Sequence, residues 1–215
     1  MAARLAGLAP GTVAVIEMLA AGEPLGVPVL ELITDPAGLE DAEAQGFVLI
    51  RQDGRRTDVR LAHPVYGEAL RQSLPRSRLR RISAVLAGAV EATGARRRED
   101  LLRLGRWQLD SGRPGEPALL TSAARRAMEM FDQNLAARLA RAALDSGGGA
   151  DAGLVLGEAR FRSGQHAEAE SVLASMVPLC RTDAERARIA SARAHNFHNL
   201  MGVTSRDELA RVLRG

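Results

Sequence analysis

The chain contains no lysine: all 29 of its basic residues are arginine. Cysteine occurs once, at Cys180, and aromatic residues make up only 3% of the 215 residues. A single cysteine excludes an internal disulfide and fits a reducing compartment. With one Trp, one Tyr and four Phe, a core large enough for this length has to be built from Ala, Leu and Val. No apolar run reaches the ~18 residues of a membrane span. Met1-Ala2-Ala3-Arg4-Leu5 opens without the apolar stretch and small-residue cleavage site of a secretory signal. The expectation is a soluble, cytoplasmic protein. Arginine lifts the isoelectric point to about 10.2, yet 26 carboxylates leave a net charge of only +3. That balance does not mark a dedicated nucleic-acid binder.

Catalytic signatures are missing too. There is no P-loop, no HExxH, no paired-cysteine metal spacing and no serine elbow. Gly22-Glu23-Pro24-Leu25-Gly26 reads as a turn rather than a phosphate loop. His195 and His198 stand three apart on one expected helix, a usable zinc spacing to which Cys180 adds a third ligand on paper. Two histidines on a helix are far more often surface or packing residues. Cys180, near Pro178 and Arg181, is an activated thiol or an idle buried one, and the idle reading is preferred. No enzymatic activity, no metal and no cofactor are expected of these residues.

What is present divides by charge. Residues 1–75 carry six Arg against ten acids, 76–110 nine against four, and 111–215 fourteen against twelve. Pro75 marks the first break, so the expected domains are 1–75 and 76–215. In the first, Val13, Ile16, Leu19 and Ala20 keep helical spacing, and a second helix runs from Leu25 to Ile33 with Pro28 in its first turn. Thr34-Asp35-Pro36 starts a third helix, which Gly46 ends as a left-handed C′ residue. Phe47-Val48-Leu49-Ile50 then reads as a buried strand. Asp53-Gly54 is a hairpin signal, and Val59 and Leu61 alternate with polar residues on the return strand. This order is the plan of a winged helix, followed by a further helix from Val65 to Ser73.

Beyond Pro75 everything reads as helical. Stripes at Leu79, Ile82, Leu86 and Val90, then at Leu101, Leu104 and Trp107, precede paired helices at 118–130, 134–146, 151–162, 166–177 and 184–200. Gly94 closes the first of these stripes. Thr182-Asp183-Ala184-Glu185 and Ser205-Arg206-Asp207-Glu208 are capping boxes. Ala169, Leu173 and Met176 return 33 positions earlier as Ala136, Ala140 and Ala143, a degenerate tetratricopeptide pattern. The expected fold is therefore mainly α: a winged-helix domain with a small β-hairpin, then a tetratricopeptide-like array. The array stops at Arg214-Gly215 straight after a capped helix and reads as cut off.

A winged helix raises the question of DNA. Its third helix, Ala37 to Gln45, holds Glu40, Asp41 and Glu43 and no arginine, so phosphate would repel it. Arg51, Arg55, Arg56 and Arg60 lie on the wing, interleaved with Asp53 and Asp58. They are the DNA contacts only in an alternative reading, a free-standing repressor with a helical ligand domain. Arg78-Leu79-Arg80-Arg81 and Arg96-Arg97-Arg98 can grip phosphate, but a solvated helix face is preferred.

Val59-Arg60-Leu61-Ala62-His63-Pro64-Val65-Tyr66-Gly67-Glu68-Ala69-Leu70, with Gly46-Phe47-Val48 before it and Ser73-Leu74-Pro75 after, resembles the large LuxR-type transcriptional regulators of actinobacteria, the MalT-like members of the STAND ATPases. The resemblance is specific over 46–75 and generic in the helical repeats. It implies a parent protein with a P-loop ATPase upstream and a DNA-binding helix-turn-helix downstream, neither of which this sequence contains. ATP or ADP is then the parent's cofactor, the ATPase domain a partner, and an inducer or protein the ligand of the array. The family's histidine at the strand-to-helix junction contacts nucleotide phosphate, and His63 holds that place. Pro64 stands where the family usually has an acid. The other reading of His63 is a helix cap packed under Tyr66.

Overall fold

A computed structural model describes residues 7–54, 56–92 and 98–200, apart from the side chains of 53, 56, 98, 99, 199 and 200. They form eleven α-helices, one 3-10 turn and a three-stranded antiparallel sheet. Packing separates two compact units, 1–113 and 114–215.

In the first unit the order is α1 (Pro10–Gly22), β1 (Leu25–Gly26), α2 (Val27–Ile33), α3 (Pro36–Ala44), β2 (Val48–Asp53), β3 (Arg56–Leu61), α4 (Pro64–Ser73), α5 (Arg76–Ala92) and α6 (Arg98–Ser111). The expected helix from Leu25 begins two residues late. Leu25 and Gly26 are instead a short strand paired with Val59 and Asp58, and the sheet order is β1-β3-β2. Asp35 caps α3 by accepting from the Ala37 N–H at 3.1 Å, with Pro36 at the first helical position. Gly46, at φ +71, closes the same helix. Its N–H donates to Glu43 O, and the Phe47 N–H donates to Ala42 O, which together satisfy two carbonyls at the helix end.

The core of this unit gathers on α1, where Val15, Ile16, Leu19 and Ala20 are buried. Two glycines let α1 and α3 cross closely: a Cβ on Gly38 would lie 2.6 Å from the Gly11 carbonyl carbon. The last carbonyls of α1, which a helix leaves without N–H partners, are taken by side chains from distant elements. Arg71 of α4 donates to Ala20 O at 2.7 Å and Trp107 of α6 to Ala21 O at 3.3 Å. Arg103 donates to Gly22 O, and to Pro24 O at 2.6 Å. Half-buried Arg78 of α5 pairs with buried Glu17 of α1 at 2.6 Å. Those bonds are why α5 and α6 belong with the first unit, so the compact division follows Arg113 rather than the charge break at Pro75.

The second unit contains α7 (Pro117–Glu129), α8 (Gln133–Asp145), α9 (Gly149–Arg162), α10 (His166–Met176), a 3-10 turn (Val177–Leu179) and α11 (Asp183–Leu200). Helices α7 with α8 and α9 with α10 are consecutive pairs that pack on each other. Ala136 and Ala169, 33 apart in sequence, are both fully buried. Small residues set the spacing: a Cβ on Gly157 would meet Leu173 Cδ2 at 2.5 Å. Ala150, Leu173, Met176, Cys180 and Ile189 form a core cluster with Leu154 and Ala192 packed against it. The capping box at Thr182 is formed. Glu185 accepts from the N–H groups of Arg181 and Thr182, and its own N–H donates to Thr182 Oγ1. Gly94, Arg96, Arg97 and the box at Ser205 lie outside the described residues.

Candidate functional site

His63 is exposed and sits at the N-terminus of α4, directly after β3. It occupies the cap position, but its side chain makes no capping hydrogen bond. Its ring meets Tyr66 edge-on with centroids 5.7 Å apart, and Tyr66 in turn meets Phe47 at 6.0 Å. The imidazole is thus propped on an aromatic pair at the surface. Below it, Glu23 accepts from the Leu61 N–H at 2.7 Å, a bond that pins the end of β3 to the loop after α1.

On the hairpin, Arg51 and Arg60 are exposed, and the register pairs Arg51 with Asp58 and Leu49 with Arg60. Arg55 and the Arg56 side chain lie outside the described residues. The outward face of α3 shows Glu40 and Glu43 to solvent. Asp41 is tied down by Thr12 Oγ1 and by Gln45 Nε2, and these hydrogen bonds hold its carboxyl below the usual aspartate value. Of the arginine run at 78–81, Arg78 is engaged with Glu17, and Arg80 donates to Ser111 O at 3.2 Å. Two of the run's guanidiniums therefore serve the fold.

The metal ligands drawn from sequence do not come together. Cys180 is buried and donates its S–H to Met176 O at 3.4 Å. His195 packs against Phe161 at 4.8 Å between ring centroids. Among the described residues no group of three or more His, Cys, Asp or Glu is arranged to hold a metal ion.

The second unit does bring together a set that no motif announced. Helices α9 and α11, with Leu173 of α10, enclose an open cavity of about 450 Å³. Leu154, Phe161, Leu173 and Ala192 give it apolar walls, while Arg162, Arg188, Ser191, His195 and Glu158 supply polar groups. Phe161 is held between two histidines, His195 on one side and His166 at 5.1 Å on another. His166 is itself fixed by Asn196, which is 1% exposed and donates to His166 O at 2.9 Å. One oxygen of Asp151 joins three helices, accepting from Arg125 of α7 at 2.7 Å and from Arg188 of α11 at 3.1 Å. Of the cavity's polar residues, only His195 had drawn attention in the sequence as a possible ligand. Arg162 and Arg188 are 26 positions apart with no pattern linking them, and stacking of the helices alone unites them. No helix among the described residues is long and apolar enough to cross a membrane. No known family model matches this chain, and no curated protein or solved structure matches it either.

Proposed function

We propose that the chain is the regulatory, protein-interacting segment of a LuxR-family STAND-type transcriptional regulator. In this reading the tetratricopeptide-like hairpins of the second unit receive an inducer or partner, and the first unit couples that event to an ATPase domain outside this sequence. The observation that carries it is the build of the first unit. Helix, short strand, two helices and a hairpin that pairs back on the short strand support the reading as a winged helix, and the third helix turns Glu40 and Glu43 outward. A groove-reading helix needs charge complementary to phosphate, so an acidic one suits contact with protein. His63, exposed at the β3–α4 junction, is the sensor of a nucleotide phosphate held by the ATPase. ATP or ADP belongs to that domain, and the chain itself performs no chemistry. The switch works only if the ligand binds one arrangement of the regulator better than the other.

The test is the coding sequence on either side of this chain. An in-frame P-loop ATPase before it and a helix-turn-helix after it are expected, and stop codons on both sides would overturn the reading. In the intact regulator, His63→Ala is expected to change both nucleotide affinity and basal activity. If neither moves, the sensor role is lost.

Exposed Arg51 and Arg60 on the hairpin favour a second reading, the free-standing DNA-binding repressor. It requires tight, salt-sensitive binding of this chain to duplex DNA that weakens when Arg51 and Arg60 are neutralised. The acidic α3 face argues for its absence.

A further inference from the structure

We propose that the cavity between α9 and α11 is a binding site for a small organic acid, a molecule with an apolar body and a single carboxylate. The inference rests on the reading of the second unit as a ligand-receiving array and names the chemical class received. Its volume of about 450 Å³ lies within the range of sites that enclose a small organic molecule. Leu154, Leu173 and the ring of Phe161 supply an apolar surface for the body of the ligand. The charged lining is unbalanced towards the positive: two arginines, Arg162 and Arg188, line the cavity with one acid, Glu158. Arg162 is exposed and has no carboxylate partner among the described residues. Arg188 shares one oxygen of Asp151 with Arg125, and the Glu185 carboxylate also lies within electrostatic reach of it. A guanidinium fork matches the two oxygens of a carboxylate, and Ser191 is a further hydroxyl-bearing residue of the lining. The Phe161 wall is steadied by the histidines and by buried Asn196, so its shape exists before the ligand arrives.

The probe is the dye 8-anilinonaphthalene-1-sulfonate, an aromatic body with one organic oxyanion, titrated into the full chain and read by fluorescence. Saturable binding of one dye per chain is expected. Ser191→Trp fills the cavity from an exposed position and is expected to abolish binding. Arg162→Gln and Arg188→Gln each weaken it about tenfold, the loss of one charge-assisted hydrogen bond. Glu158→Gln tightens it, and Arg141→Gln, at an exposed position of α8, leaves it unchanged. The uncharged relative N-phenyl-1-naphthylamine binds less tightly than the sulfonate. Absence of binding, binding that survives Ser191→Trp, or equal affinity for the neutral dye overturns the proposal. A melting curve for each variant separates lost binding from lost fold. Dye binding does not depend on any ATPase, so a site that behaves as expected beside flanking stop codons removes the regulator reading and leaves the cavity standing.

Discussion

Phe131 holds a backbone conformation that ordinarily belongs to glycine. Among the described residues four helices end with a glycine at positive φ: α6 at Gly112, and α3, α8 and α9 at Gly46, Gly147 and Gly164, these three with a matching pair of terminal hydrogen bonds. Helix α7 ends with the same pair of hydrogen bonds, Phe131 N–H to Met128 O and Asp132 N–H to Ala127 O, but with Phe131 at φ +60. A side chain there costs about 1 kcal/mol, and this one is 77% exposed, so little packing offsets the cost. Phe131→Gly relieves the strain but adds backbone freedom to the unfolded chain. A net stabilisation of about 0.5 kcal/mol is expected, read as a higher urea midpoint; an unchanged or lower midpoint would show that the ring is held by something else. The glycines at the α1–α3 crossing give a sharper contrast. A Cβ on Gly38 meets the Gly11 backbone at 2.6 Å, whereas one on Gly11 has nothing nearer than 3.5 Å. Backbone cannot step aside as a flexible side chain can. Gly38→Ala is therefore expected to cost about 1–2 kcal/mol despite its better helix propensity, while Gly11→Ala is tolerated. Equal denaturation midpoints for the two variants would remove the crossing as the cause.

Among the elements, α11 carries a pH dependence in its capping box. Backbone N–H groups of Arg181 and Thr182 bond the Glu185 carboxylate and lower its pKa from the ordinary 4.5. Because the folded value is the lower one, the carboxylate's contribution is complete above 4.5 and drains away as the pH falls through the depressed value. Asp41 at α3 and Glu68, lowered by Arg71, act in the same direction. Helical content is thus expected to fall on acidification below about pH 4.5. Glu185→Gln should flatten that part of the circular-dichroism titration, and a curve identical to the parent's would exclude the cap as a contributor. This box was legible in the sequence for the same reason that Asp35-Pro36, Gly46 and the Asp53-Gly54 turn were: each is decided within a few residues, by a capping side chain or by the backbone freedom of a glycine. Strand β1 was not legible, since two residues have no periodicity of their own and Leu25 becomes a strand only by meeting Val59. The cavity was hidden for a related reason. Arg162, Phe161 and Arg188 carry no spacing signal, and they converge because α9 and α11 both pack on α10. His195 drew attention as a possible ligand for zinc, yet what it meets is the ring of Phe161.

At the scale of the whole molecule, the charge break at Pro75 and the packing division after Arg113 make different demands on where the chain can be cut. A cut after Pro75 separates α1 from the three side chains of α5 and α6 that complete it. Ala21 O loses Trp107, Gly22 O and Pro24 O lose Arg103, and Glu17, 9% exposed, loses Arg78. A fully buried ion pair costs about 3–5 kcal/mol to break; the Arg78 side chain is 33% exposed, so its loss costs less, but a domain of this size has only about 5–15 kcal/mol in hand. Trp107 also leaves the surface of Gly22, where its ring fits only because no Cβ is present. A cut after Arg113 severs none of these bonds. A fragment of residues 1–113 is therefore expected to unfold cooperatively in urea, with Trp107 fluorescence reporting the transition. A fragment of residues 1–75, followed by circular dichroism, should unfold at a far lower midpoint or show no cooperative transition. A 1–75 fragment as stable as the longer one would mean that the helix-end carbonyls of α1 find adequate partners in water. The division at Arg113 would then lose its energetic basis, and the charge break would become the better guide to where the first domain ends.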